Sequence, residues 1–267
     1  MTPVRATVVE GPTGTPPAVF LHGVLSWGDD EVYGFGNQRP LAAGRRLLLV
    51  DRRGYGDSPD LDGPHRSDYE VDAEDVIPLL GDGAHLVGHS YGAVAAMLAA
   101  SARPDLVRSL CLVQPGALRP AEDHPVVAEA LARARAATAA PLDLGPEDYL
   151  RLSTGAVGMP APEPTPKRLR AARTTMGERP CWDADVPLAP LADAGWPVLV
   201  VLGDWEGAPE PYRRLAGEPL IAAGREIARR VGAELLTLPG YYPHVQRAAE
   251  VNAALEALWA GAERRTG

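Results

Sequence analysis

The sequence has only two cysteines in 267 residues, Cys111 and Cys181, and they are not spaced as metal ligands. Cys111 lies inside an apolar run, which favours a small buried side chain over a disulfide partner. No apolar run approaches the roughly 20 residues that cross a bilayer, and the first residues lack the basic start and apolar stretch of a signal peptide. We therefore predict no metal ion, no membrane partner and a cytoplasmic protein.

Basic residues are also few. The chain has 26 Lys and Arg against 35 Asp and Glu, which gives a formal net charge of -9. This sign argues against nucleic acid and an anionic membrane surface as partners. The chain has no Gly-rich phosphate loop and no dinucleotide fingerprint, so no cofactor is predicted. The expected partner is a small-molecule substrate, and a homodimer is left open.

Short apolar runs alternate with longer helical patterns, which indicates an α/β fold with a mostly parallel sheet flanked by helices. The predicted strands are 18–21, 47–50, 84–87, 110–113, 198–202 and 235–238. The predicted helices between them are 68–80, 93–102, 220–231 and 248–259.

One stretch breaks this alternation. Residues 115–195 contain many prolines, no convincing strand, and helical patches at 126–137, 147–152 and 167–174. Because an unstructured loop of that length is uncommon inside a compact domain, we predict a helical insertion at 115–195. Residues 1–114 and 196–267 then form the core.

Ser90 lies in the segment Gly88-His89-Ser90-Tyr91-Gly92, between a predicted strand and a helix rich in small residues. A sharp strand-to-helix turn of this kind presents the Ser hydroxyl at the carboxyl end of the sheet. Gly88 and Gly92 supply the room that the turn needs. The alternative is a Gly-rich connection with an incidental Ser. We predict that Ser90 is a nucleophile.

An attacking hydroxyl generates an oxyanion that needs hydrogen-bond donors. The Tyr91 N–H is one, since it follows the nucleophile at a helix N-terminus. The loop His22-Gly23-Val24 offers the Val24 N–H as the second, unless it is a simple strand-ending turn. His22, Trp27 and His89 are candidates for lining the pocket, although such side chains are by default buried for packing.

Three segments together resemble the α/β-hydrolase superfamily, in its Ser-nucleophile, capped, esterase- or lipase-like branch. They are Phe-Leu-His-Gly at 20–23, Asp-Arg-Arg-Gly-Tyr-Gly-Asp-Ser at 51–58 and Leu-Val-Gly-His-Ser-Tyr-Gly at 86–92. The resemblance covers nearly the whole chain. It implies a helical cap at 115–195 and a structural role for Asp51 and Asp57. A Ser rather than an Asp nucleophile speaks against the dehalogenase and epoxide-hydrolase branches.

The resemblance also implies the chain order nucleophile, acid, histidine. Glu206 falls three residues after Gly203, at the position that matches the acid, and Asp204 is the fallback. The alternative is that both are solvated loop acids. Gln114, where some relatives place the acid, cannot ionise. His244 is the only histidine beyond the last predicted strand and is the expected base.

The approach to His244 is atypical, because Pro243 stands where relatives usually have Gly. Matching the loop from its other side puts Tyr241 where some relatives carry the base. We predict hydrolysis of a small carboxylic ester, lactone or thioester through an acyl-enzyme on Ser90. The alternatives are a non-hydrolytic biosynthetic enzyme (lyase, cyclase or acyltransferase) and a ligand-binding protein on the same scaffold.

Overall fold

The protein folds around one seven-stranded sheet, as seen in a computed structural model that describes residues 2–137, 143–159 and 161–266. The strands are β1 (Ala6–Val9), β2 (Ala18–Leu21), β3 (Leu47–Val50), β4 (Ala84–His89), β5 (Val107–Val113), β6 (Val198–Gly203) and β7 (Glu234–Leu238). They lie in the order β1-β3-β2-β4-β5-β6-β7. All neighbouring pairs are parallel except β1 with β3. The α/β prediction is confirmed.

The central strands are buried on both faces, which is why most of their residues are apolar. In β2, Val19 and Leu21 belong to the core on one face, while Ala18 and Phe20 belong to the core on the other. Edge strand β1 was missed in the sequence; three of its four residues are half-buried and Val8 is exposed.

Helices cover both faces of the sheet. The helices outside the insertion are α1 (Tyr69–Val76), α2 (Tyr91–Ala102), α7 (Glu210–Tyr212), α8 (Glu218–Val231), α9 (Pro243–Gln246) and α10 (Ala248–Thr266). Residues of α1, α2 and α8 pack into one core, and residues of α10 pack into the other. Within the described residues, no helix combines the length and the apolar character needed to span a membrane.

The predicted insertion at 115–195 is helical where the structure describes it. Its helices are α3 (Pro125–Ala137), α4 (Pro146–Ala156), α5 (Pro166–Met176) and α6 (Ala189–Asp193). Each predicted helical patch of this segment falls inside one of the first three, and its described residues contain no strand. The segment leaves the carboxyl end of β5, which is the end of the sheet where Ser90 lies, and returns to the start of β6.

Candidate active site

Ser90 occupies a strained turn between β4 and α2. Its φ of 52° and ψ of -114° lie outside the regions that L-residues ordinarily adopt, and such strain is often found at functional sites. Neighbouring glycines make the turn possible. A Cβ on Gly88 would lie 2.5 Å from Ala93 Cα, and one on Gly92 would lie 2.2 Å from Leu21 O. Both distances are too short for any side chain.

The two amides expected to bind an oxyanion have no hydrogen-bond acceptor among the described residues. Tyr91 N–H is in the first turn of α2, where backbone donors have no partner within the helix. Val24 N–H belongs to the loop after β2. This loop borders the nucleophile directly, since a Cβ on Gly23 would lie 3.2 Å from Ser90 Cβ. Ser90 itself is partly buried.

Arg52 anchors this loop from inside the protein. Its guanidinium donates from Nε to His22 O at 3.0 Å and from Nη2 to Gly23 O at 3.0 Å. The guanidinium carbon also lies 4.5 Å from the ring centroid of Tyr55 and 4.1 Å from that of Tyr91. Arg52 therefore connects both elements that carry the candidate oxyanion donors. The sequence could not indicate this, because Arg52 lies in a motif whose expected role was only to shape a turn.

Two carboxylates compensate the buried charge of Arg52. Asp72 Oδ2 accepts a hydrogen bond from Nη1 at 2.9 Å, and Glu178 Oε2 from the insertion lies 3.5 Å from Nη2. Glu178 also accepts a 2.6 Å hydrogen bond from the Tyr55 hydroxyl. Burial raises the pKa of Glu178 to about 7, although Arg52 acts in the opposite direction. The sequence does not predict these ion pairs, since Arg52, Asp72 and Glu178 are far apart along the chain.

Two of the predicted pocket residues are engaged elsewhere. His22 is fully buried, its Nδ1 donates to Gly23 O at 2.7 Å, and its Nε2 accepts the Arg52 N–H at 3.1 Å. Both ring nitrogens are thus used within the protein. Trp27 packs against the cationic groups of Arg168 and Lys167, which lie 4.4 and 5.1 Å from its ring centroid. Trp27 therefore attaches the loop to α5.

His244 is fully buried, and its Nε2 lies 3.2 Å from Tyr33 O. A carbonyl can only accept, so Nε2 carries the proton and Nδ1 holds the lone pair. Nδ1 has no hydrogen-bond partner within the described residues. The loop is held from its backbone as well, because Gln38 Nε2 donates to His244 O at 2.8 Å. The structure does not join His244 to Ser90 by a hydrogen bond.

His89 brings a second imidazole beside the nucleophile. Its ring packs against that of His244 with centroids 4.1 Å apart and the planes tilted, and its Nδ1 lies 2.8 Å from the position of a Cβ on Gly23. Desolvation lowers the pKa of His89 well below its ordinary value, and the nearby His244 lowers it further. Desolvation also lowers the pKa of His244 to about 4. Both rings are therefore neutral at pH 7.

The structure does not bring Glu206 to His244. Glu206 is exposed, and its only hydrogen bond within the described chain runs from its backbone N–H to Asp204 Oδ1 at 2.8 Å. Trp205 points inward instead, and its ring packs 4.9 Å from that of Tyr212. The fallback Asp204 is exposed too, and it accepts the Gly240 N–H at 2.9 Å. Large apolar area favours burying Trp205, which turns its charged neighbours outward.

Gln114 and Tyr241 join the ends of β5, β6 and β7. The Gln114 amide donates to Tyr241 O at 3.0 Å and accepts the Gly203 N–H at 3.0 Å. The Tyr241 ring lies 6.0 Å from that of Trp205, whereas the ring of Tyr242 lies 6.0 Å from that of His89. Tyr242 is therefore the tyrosine of this loop that covers the imidazole pair.

A cavity of about 790 Å³ opens between α3 and α8, and none of the candidate site residues lines it. It does not locate the active site. Among the described residues, no group of three or more His, Cys, Asp or Glu side chains is arranged to hold a metal ion.

The buried parallel sheet, the strained serine turn after β4 and the loop after β2 define a hydrolase scaffold. A family model of the alpha/beta hydrolase family matches residues 18–254, and the chain belongs to that family. The resemblance noted in the sequence is thereby confirmed.

Particular relatives are similar over shorter stretches. The chain is 35% identical over 112 residues to the sn-1-specific diacylglycerol lipase ABHD11 of Mus musculus. The matched residues cover 42% of this chain and 36% of the lipase. It is 38% identical over 100 residues to the pimeloyl-(acyl-carrier protein) methyl ester esterase of Aeromonas salmonicida, 37% of each protein. The matches therefore span little more than a third of each relative's length.

The fold is similar over nearly the whole chain to solved structures. A thermophilic esterase from Thermogutta terrifontis superimposes with a TM-score of 0.65 at 21% identity, covering 97% of this chain and 93% of the esterase. At this level of identity the similarity concerns the fold alone.

Proposed function

We propose that this protein is a serine hydrolase that transfers an acyl group from an ester-type donor to Ser90 and then to water. The observation that carries the proposal is the strained Ser90 turn, whose φ is 52°, next to the unpartnered amides of Val24 and Tyr91. A hydroxyl beside two free amides suits a tetrahedral oxyanion. Esterase and lipase relatives support the same reaction class.

In the proposed reaction, Ser90 Oγ attacks the acyl carbonyl and the two amides bind the resulting oxyanion. Collapse of the tetrahedral intermediate expels the alcohol or thiol, and water releases the acid from Ser90 in a second attack. The proton of Ser90 passes to His244, whose unpartnered Nδ1 is the lone pair available in this tautomer, and then from His244 to the leaving alcohol or thiol. In the second attack, His244 takes a proton from the water and returns it to Ser90. Glu206 and Asp204 are left out of the mechanism, because neither carboxylate contacts His244.

A ligand-binding protein on the same scaffold is the second candidate. The hydrogen bond from His244 Nε2 to Tyr33 O favours it, because this bond occupies the nitrogen that a Ser–His–acid triad would direct at Ser90. Such a protein would keep the turn and the loop but would have no preassembled general base.

Labelling with a fluorophosphonate probe and turnover of a p-nitrophenyl ester distinguish the two candidates. The hydrolase predicts stoichiometric labelling that is lost in Ser90→Ala, together with ester turnover that is lost in both Ser90→Ala and His244→Ala. A wild-type protein that neither labels nor turns over ester would contradict the hydrolase and support the binding protein. Labelling without turnover would refute His244 as the base while retaining Ser90 as an acyl acceptor.

A further inference from the structure

The conformation of the loop after β2 depends on Leu25, which adopts a φ of 58°. This left-handed conformation is unfavourable for residues other than Gly, Asn and Asp, so surrounding contacts must hold it. Leu25 directly follows Val24, whose N–H is a proposed oxyanion donor. Arg52 fixes the Gly23 carbonyl, which shares a peptide plane with the Val24 N–H, and whatever holds Leu25 fixes the loop on the other side of Val24.

Both backbone polar groups of Leu25 are bound by side chains of α5 in the insertion. Its N–H donates to Thr175 Oγ1 at 3.0 Å, and its carbonyl accepts from Arg168 Nη1. Arg168 is fixed in turn by Asp30, whose two carboxylate oxygens each accept a hydrogen bond of 2.7 Å. Arg168 and Asp30 are both buried, so this anchor is shielded from solvent.

The Thr175 hydroxyl is part of a directed chain of hydrogen bonds. Tyr55 donates its hydroxyl proton to Glu178 at 2.6 Å, and Thr175 Oγ1 lies 3.0 Å from the Tyr55 oxygen. Since the Tyr55 proton is already used, Thr175 must donate to Tyr55 while it accepts from Leu25. The chain runs from the Leu25 amide to the Glu178 carboxyl oxygen, and hydrogen bonds linked in this way strengthen one another.

We propose that Thr175 is a positioning residue that holds the His22–Leu25 loop in its active shape from the side of the insertion. Arg52 fixes the carbonyls of His22 and Gly23, while Thr175 and Arg168 fix Leu25. Val24 thus lies between two anchored points with its N–H free. In this arrangement α5 must stay packed against the His22–Leu25 loop for the loop to keep its shape, because its side chains hold Leu25. The catalytic consequence rests on the proposed hydrolase function.

Three single variants separate positioning from plain stability. Thr175→Val keeps the shape of the side chain and removes the hydroxyl, and Thr175→Ser restores the hydroxyl. Thr174→Val is the matched control, because Thr174 is the neighbouring buried residue of α5 and its hydroxyl donates to Gly54 O at 2.6 Å, outside the His22–Leu25 loop. The readouts are kcat and KM for a p-nitrophenyl ester and NMR amide exchange at Leu25.

We expect Thr175→Val to lower kcat by about 10- to 100-fold with KM unchanged, less than the loss of a direct oxyanion donor. The same variant should speed exchange of the Leu25 amide at least tenfold, and Thr175→Ser and Thr174→Val should match the wild type in both. Unchanged Leu25 exchange in Thr175→Val, or an equal fall in kcat in Thr174→Val, would overturn the proposal. If the wild type has no esterase activity, the hydrolase function fails, and a Thr175-dependent Leu25 exchange still supports the anchoring of the loop.

Discussion

The imidazole rings of His89 and His244 pack against each other with their centroids 4.1 Å apart and their planes tilted by 43°. Each ring keeps a buried Nδ1 that has no hydrogen-bond partner in the described part of the chain. An unpartnered buried nitrogen is costly to maintain, and such costs are commonly found where the group has a chemical role. This pair beside Ser90 is where the proposed proton transfer can be tested most directly.

Replacing His244 by Ala should lower kcat for an ester by about 10²- to 10⁴-fold, the usual contribution of a general base. Glu206→Ala should leave kcat within about twofold, because the Glu206 side chain is exposed and contacts no part of the site. Steady-state kinetics of the two variants, with circular dichroism to check folding, makes the comparison. A large loss in Glu206→Ala would mean that the acid moves to His244 in the working enzyme.

The native state should lose stability as pH falls from about 6.5 to about 4. Desolvation lowers the pKa of His244 and of His85 to about 4, below the ordinary value of 6.5. The unfolded state therefore binds more protons across this window, which favours unfolding by about 1.4 kcal/mol per pH unit for each histidine. Urea denaturation at pH 7 and pH 4.5 measures the difference.

Glu178 should act in the opposite sense in the same experiment. Burial raises its pKa to about 7 from 4.5, so between these values the native state holds a proton that the unfolded state has lost. This contribution stabilises the protein below pH 4.5 and disappears as pH rises through 7. Glu178→Gln should consequently steepen the loss of stability on acidification. An unchanged pH dependence in Glu178→Gln would show that the carboxyl titrates at its ordinary pKa, and a shallower one would show that its pKa is lowered; either would contradict the prediction.

Arg52→Met should destabilise the protein by about 3–5 kcal/mol, since it leaves the buried Asp72 carboxylate without its cation. Arg103→Met serves as the control, because Arg103 pairs with Asp105 on the exposed surface. We expect no measurable change in the midpoint of urea unfolding for that variant. Similar midpoints for the two variants would argue against Arg52 as the anchor of the loop.

Gly92→Ala should prevent the serine turn from forming, because the new Cβ would lie 2.2 Å from Leu21 O. Gly155→Ala is a suitable counterpart in helix α4, where no atom lies within 4 Å of the added Cβ. We expect that variant to gain about 0.5–1 kcal/mol from helix propensity. Thermal melts of both proteins check the pair, and a Gly92→Ala protein as stable as the wild type would contradict the tight turn.

Much of the scaffold could be predicted from sequence because its signals are local. The strands at 18–21 and 47–50 have the predicted bounds, and the helical patches of the insertion lie within α3, α4 and α5. Edge strand β1, whose residues are half-buried or exposed, was missed. The orientation of the loop after β6 could not be predicted either, because burial of Trp205 in a cluster of distant aromatic rings decides it.

The sequence by itself determined the serine turn. Glycine is the only residue type that fits the close backbone contacts at positions 88 and 92. An apolar strand precedes the turn, and a helix rich in small residues follows it. Only the tertiary structure decided how His244 is used, because its partner Tyr33 lies 211 residues away in the chain. The anchoring of the oxyanion loop by Arg52 and Thr175 likewise arises from long-range contacts. A strained turn requires particular residues next to it in the sequence, so it can be recognised locally. The direction of a buried side chain depends instead on all the residues packed against it.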